Sequence, residues 1–129
     1  MTNDLIVNKE NSILKITFNR PERRNALSHD MLNTLYNELI KAENDSSIRA
    51  LVLTGAGNAF CAGGDLKDMA ERDNEEETTQ EKTNNLRRMM EASRILHEMP
   101  IPTIAILPGA AAGAGLSLAL ACDMRIASE

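Results

Sequence analysis

Residues 103–123, TIAILPGAAAGAGLSLALACD, constrain this chain more than any other stretch. A short β-branched apolar run from Thr103 to Leu107 has the pattern of a buried strand. Pro108-Gly109 breaks it. Small residues follow, too slight to fill a core alone, and then Leu116, Leu118, Ala119, Leu120 and Ala121 read as a buried helix. A helix start carries unpaired backbone N–H groups and the positive end of the helix dipole. With only Gly and Ala at that start, no side chain keeps an external oxygen from those donors. The junction can hold an anion, or an oxygen on which negative charge develops. Taken alone, the stretch is read equally well as a small-residue helix packed closely on its neighbours.

Other readings of the stretch are weaker. It has the length of a membrane span and a Gly109/Gly113 G-x-x-x-G pair. Its middle is Ala and Gly, however, a strand pattern precedes it and Pro108-Gly109 divides it. A dinucleotide-binding turn needs a third glycine where Leu118 stands, and no Lys-Ser or Lys-Thr follows for a P-loop. With 43% hydrophobic and 26% charged residues, the chain reads as one globular domain. Its net charge of −5 argues against nonspecific nucleic-acid binding. Cys61 and Cys122 make no disulfide framework, which suits a reducing cytoplasm, and the N-terminus lacks a signal-peptide layout. The sequence stops at Glu129, just after a strand pattern, which suggests a truncated chain or faces covered by a partner.

In chain order, Leu5 to Glu10 and Ile13 to Phe18 are two strand patterns with a hairpin turn at Asn11-Ser12. A polar loop runs from Asn19 to Asn25. Ser28 is a good N-cap for an amphipathic helix to about Glu43, with Met31, Leu32, Leu35, Leu39 and Ile40 at helical spacing. Ile48 to Thr54 is a strand expected to be buried on both faces. In residues 59–69, AFCAGGDLKDM, a second small-residue turn, Ala62-Gly63-Gly64, precedes a helix start at Asp65. Two such turns suit two N–H donors aimed at one oxygen. Residues 71–81 read as an acidic, solvated, mobile segment. Leu86, Met89, Met90, Ser93 and Leu96 give a further amphipathic helix, and Met124 to Ile126 a last strand. The order ββ-α-β-(α)-α-β-α-β implies an α/β domain with largely parallel pairing.

Three segments together resemble the enoyl-CoA hydratase/isomerase, or crotonase, superfamily. They are Asn19-Arg20-Pro21 with Asn25-Ala26-Leu27, Phe60 to Leu66, and Gly109 to Asp123. The resemblance implies a crotonase-like (ClpP/crotonase) spiral of ββα units, with residues 1–129 as the N-terminal part of an acyl-CoA-binding domain. It implies an acyl-CoA thioester as substrate, no separate cofactor or metal, and a homo-oligomer, trimer or hexamer. It further implies that the backbone N–H groups of Gly64 and Ala114 hold the thioester oxygen as an enolate forms. Ala114 stands where the family commonly has Gly; the methyl takes space but leaves the donor. Arg23, Arg24, the backbone of Ala62 and Asp65 fall on the substrate side. From the residues alone, Arg23 and Arg24 read first as solvated loop charges, and Asp65 as a helix cap. Ser117 occupies the position of a usual catalytic Glu, and a hydroxyl is no carboxylate base at neutral pH. Isomerase-type chemistry is therefore favoured over hydration, with an inactive acyl-CoA-binding or assembly module as the alternative. Cys61 reads as a small buried residue rather than a nucleophile. His29 and His97 lack metal-ligand spacing, Asp68 and Glu71 are minor candidates for pocket acids, and Met69, Met89, Met90 and Met99 suit either an acyl tunnel or a core.

Overall fold

The computed structural model describes residues 3–73 and 78–129. Strands β1 (Leu5–Glu10) and β2 (Ile13–Phe18) form the expected antiparallel hairpin. Asn11 and Ser12 both have positive φ, 50° and 68°, as a tight two-residue hairpin requires. Helix α1 (His29–Glu43) is capped by Ser28, whose Oγ accepts from the Met31 N–H at 3.2 Å. Strands β3 (Ala50–Gly55) and β4 (Ala59–Cys61) follow, then helices α2 (Leu66–Asp73) and α3 (Thr79–Glu98). Strands β5 (Thr103–Leu107) and β6 (Ala110–Ala111), helix α4 (Ala114–Ala121) and strand β7 (Met124–Ala127) complete the described order.

The strands sort into two sheets. The larger has the order β1-β2-β3-β5-β7, parallel after the first hairpin. The smaller pairs β4 with β6, also in parallel. The first passage through strand, strand and helix puts both its strands in the large sheet; the next two, through β3 and β4 and through β5 and β6, each add one strand to either sheet, and this is the ββα repeat. The sequence order above omits β4 and β6. These are short, and β6 is two alanines with little strand propensity of their own; pairing with β4 makes them a strand.

The core lies on one face of the large sheet. Leu14, Ile16 and Phe18 of β2 and Leu51 and Leu53 of β3 are buried, and Leu35 and Leu39 of α1 and Ile95 and Leu96 of α3 join the same cluster. Phe18 stacks on Phe60 of β4 at a centroid distance of 5.4 Å, fastening the two sheets together. The opposite face is only half covered. Val52 of β3 is partly exposed, so β3 buries one face rather than the two expected.

Two helices also depart from expectation. Helix α3 starts at Thr79 rather than near Leu86, because Thr78 and Glu81 form a reciprocal capping box. Its buried face runs through Ala92, Ile95 and Leu96, leaving Leu86 and Met90 exposed. The segment read as mobile is therefore helical at both ends; residues 74–77 lie outside the described residues. Helix α4 is buried on one side only, through Gly115, Leu118 and Ala119, while Leu116 and Leu120 face out.

Gly115 sets how close α4 sits. A Cβ there would lie 2.3 Å from the Cys61 carbonyl oxygen and 2.7 Å from the Cys61 Cβ. Neither is the end of a flexible side chain, so α4 would have to move away from β4. Gly115→Ala is expected to cost about 1–3 kcal/mol in urea denaturation. An unchanged midpoint would show that α4 is not wedged against β4.

Candidate functional site

The loop after β2 is built around one asparagine. Asn25 is fully buried with φ 58°, a left-handed conformation that asparagine tolerates better than most residues. Its Oδ1 accepts from the Arg20 N–H at 2.8 Å, and its Nδ2 donates to the carbonyls of Ala56 and Ala59, both at 2.9 Å. One side chain thus ties together three backbone segments.

Arg20 extends that tie to the first glycine turn. Its guanidinium meets the Asp65 carboxylate at 2.8 Å, donates to the Ala26 carbonyl at 2.9 Å and stands 3.8 Å from Asp4. Asp65 Oδ1 accepts from the backbone N–H groups of Lys67 and Asp68, at 3.0 and 3.2 Å, so it caps α2 as expected. Burial opposes the charge on Asp65, but these hydrogen bonds and Arg20 outweigh it and hold its carboxyl below the usual range.

Backbone pairing then fixes where Gly64 points. The Leu27 N–H donates to the Gly63 carbonyl at 2.7 Å, and the Asp65 N–H donates to the Leu27 carbonyl at 2.9 Å. In such a parallel bridge the residues flanking Gly64 bond to Leu27, and the N–H of Gly64 itself faces the other way. Ala62, just before, is exposed and gives its N–H to the Arg24 carbonyl at 3.0 Å.

The second turn lies alongside the first because β6 pairs with β4. The Ala112 N–H donates to the Cys61 carbonyl at 3.0 Å. Gly63 and Gly113 have φ of 102° and 54°, the left-handed region that favours glycine. A Cβ on Gly63 would lie 3.0 Å from the Ala112 carbonyl oxygen and 3.6 Å from the Ala114 nitrogen. Ala114 is the first residue of α4, where backbone donors have no partner within the helix. Among the described residues, neither the Gly64 nor the Ala114 N–H makes a backbone hydrogen bond. The two turns are in contact, each with an uncommitted donor.

Gly64 also lines a mainly apolar cleft of about 290 Å³ between α1, α2 and α3. Leu27, Leu32, Met69, Leu86 and Met89 form much of its wall, and His29, Asp68 and Lys82 add polar groups. Of the four methionines singled out above, Met69 and Met89 face this cleft, whereas Met99 is core and Met90 is exposed. Asp68 accepts from the His29 backbone N–H at 3.1 Å, pinning α2 to the start of α1.

The remaining candidates sit as follows. Ser117 is exposed on α4, its Oγ directed to the Gly113 carbonyl at 3.3 Å in its own helix. Arg23 stands 3.7 Å from Asp65. Arg24, with φ 51°, borders a recess of about 450 Å³ shared with Pro21, Asn58 and Ala110. Cys61 is fully buried, and burial pushes its thiol up to about 11, too high for a thiolate at neutral pH. Arg20 and Asn25 stood in the quoted motif but were given no role. Their only signal is a polar proline loop, Asn19-Arg20-Pro21 running on to Asn25, which does not disclose that the side chains of Arg20 and Asn25 turn inward.

Known proteins share this sequence pattern and fold. The enoyl-CoA hydratase/isomerase family matches residues 8–129. The chain is 41% identical to the 2,3-dehydroadipyl-CoA hydratase of Escherichia coli (strain K12), covering 98% of this chain and 47% of that protein. An enoyl-CoA hydratase/isomerase structure from Marinobacter aquaeolei superposes with a TM-score of 0.88 at 40% identity, over 98% of this chain and 49% of that one. Pseudomonas aeruginosa AtuE gives 0.89 at 36% identity, over 98% and 48%. The chain spans about half the length of the relatives it matches. From residue 8 onward, then, both the sequence and the crotonase-type backbone are shared, and the chain belongs to the enoyl-CoA hydratase/isomerase family.

Proposed function

We propose that this chain builds the thioester-binding half-site of an acyl-CoA enzyme, in which the N–H groups of Gly64 and Ala114 together hold the thioester oxygen. A thioester α-proton leaves only if the resulting enolate is stabilised, and two fixed donors supply that stabilisation. The observation that carries the reading is the contact between the two glycine turns, each with an uncommitted amide. In this reading the acyl chain runs into the cleft beside Gly64. The CoA portion passes Ala62, whose carbonyl remains available, and Arg23 and Arg24, which meet its phosphates. Asp65 serves by holding the turn. The only coenzyme is the CoA of the substrate, and the fitting context is acyl-CoA metabolism, as in fatty-acid breakdown, by a cytoplasmic homo-oligomer.

Ser117 inclines the chemistry toward isomerisation rather than hydration. A hydroxyl directed back to its own helix is a poor base for activating water. The same observation favours a second reading, an acyl-CoA-binding module without turnover. Crotonyl-CoA or acetoacetyl-CoA is expected to raise the melting temperature, and NAD to leave it unchanged. Thioesters that give no shift would end the first reading and the second. Binding with neither double-bond migration nor hydration would leave the module.

A further inference from the structure

We propose that His29 is a specificity-determining residue whose Nδ1–H selects acyl thioesters carrying an uncharged oxygen acceptor, a hydroxyl or a keto group, toward the distal end of the acyl chain. The inference rests on the proposed thioester reading and adds a preference to it.

The argument begins outside the cleft. Arg88 donates to Asn33 Oδ1. A guanidinium has no acceptor, so this contact fixes which end of the Asn33 amide faces it. The Asn33 NH2 group is then turned to His29, whose Nε2 lies 2.9 Å away. A ring nitrogen that accepts a hydrogen bond carries no proton, so the proton of the neutral ring is on Nδ1. Among the described residues, Nδ1 has no hydrogen-bond partner, and it is not a buried orphan atom either. It is an oriented, accessible donor on a side chain that lines the cleft.

The placement lies within an acyl chain's reach of the thioester position. Leu27 bridges Gly64, and His29 follows Leu27 by two residues. Paired strands lie about 4.8 Å apart and successive Cα atoms 3.8 Å, so the His29 Cα is at most roughly 12 Å from that of Gly64. The cleft they share is lined mainly by apolar side chains, among them Leu27, Leu32 and Met69, with Ser28 and Asp68 adding polar groups. A chain held at Gly64 and extending to His29 lies against a largely apolar wall that offers it this donor.

The surroundings favour a neutral acceptor. The charged groups acting on the ring are Asp30 and Asp68 on one side of the balance and Arg72 and Arg88 on the other. Lys82 is paired with Asp73 at 3.2 Å. Among the described residues, no excess of positive charge awaits a carboxylate. Burial, followed by Arg72, lowers the proton affinity of the ring and keeps it neutral.

Calorimetry with hexanoyl-CoA, 6-hydroxyhexanoyl-CoA and the matching ω-carboxylate thioester tests this without requiring turnover. The hydroxylated chain is expected to bind about 2- to 12-fold tighter than hexanoyl-CoA, the net worth of one neutral hydrogen bond. His29→Phe, which keeps the ring and loses the donor, should bring the two to equal affinity. His29→Gln, with an amide donor, should restore part of the preference. Equal binding in the unaltered protein, a preference surviving in His29→Phe, or tightest binding of the carboxylate would each overturn the assignment. If hexanoyl-CoA itself does not bind, the thioester reading fails and the assignment goes with it.

Discussion

An Ala114→Pro variant is expected to lose about 10²- to 10³-fold in kcat on an enoyl-CoA substrate while retaining its melting temperature to within a few degrees. Position 114 opens α4 and is preceded by Gly113. The first helical position is where proline is best tolerated, since its missing N–H has no partner inside the helix. The substitution therefore replaces the amide hydrogen with a ring carbon while keeping the helix. If that hydrogen holds the developing enolate, its loss appears in kcat, because the interaction strengthens only as charge forms. Ala114→Gly, which keeps the N–H, should retain the rate. A proline variant with unaltered turnover would remove Ala114 from the chemistry.

The second large effect concerns folding. Arg20→Ala is expected to destabilise the domain by about 3–5 kcal/mol in urea denaturation, since it takes from a buried carboxylate its closest cation and leaves only the more exposed Arg23 at 3.7 Å. The side chains of Arg20 and Asp65 are 13% and 6% exposed, so solvent screens the pair weakly. The loss is a third or more of what holds many domains together. Acid dependence gives an independent reading. The folded state holds the Asp65 carboxyl below its ordinary value of 3.8. The associated stability is complete above that value and disappears as pH falls through the lower, folded one. Arg20→Ala should flatten part of this acid slope. A variant with wild-type stability and slope would show that Asp65 is held by its backbone donors and Arg23 without help from Arg20.

The sequence and the folded chain agree where a single segment carries its own instructions. The hairpin of β1 and β2 follows from alternation around Asn11-Ser12, and α1 from a Ser28 cap and apolar residues at helical spacing. The glycine turns were legible because Gly and Ala mark places where a backbone must bend or be approached. What was hidden depends on a partner. Strand β6 has no strand character until β4 lies beside it. The early turns of α3 are polar, and only the Thr78–Glu81 box declares where they begin. Asn25 and Arg20 look like loop polars, since nothing local says that Ala56, Ala59 and Asp65 will close around them.

The spatial order of the large sheet, β1-β2-β3-β5-β7, repeats the order of synthesis. Every later strand is laid along the same advancing border, so none has to be wedged between two already in place. A nascent polypeptide can consolidate from its amino end while the ribosome is still extending it, each unit resting on the one before. The two bends that carry Gly64 and Ala114 belong to consecutive units. The pair is completed only when the later one docks, so the proposed hold on a thioester oxygen cannot form before that step.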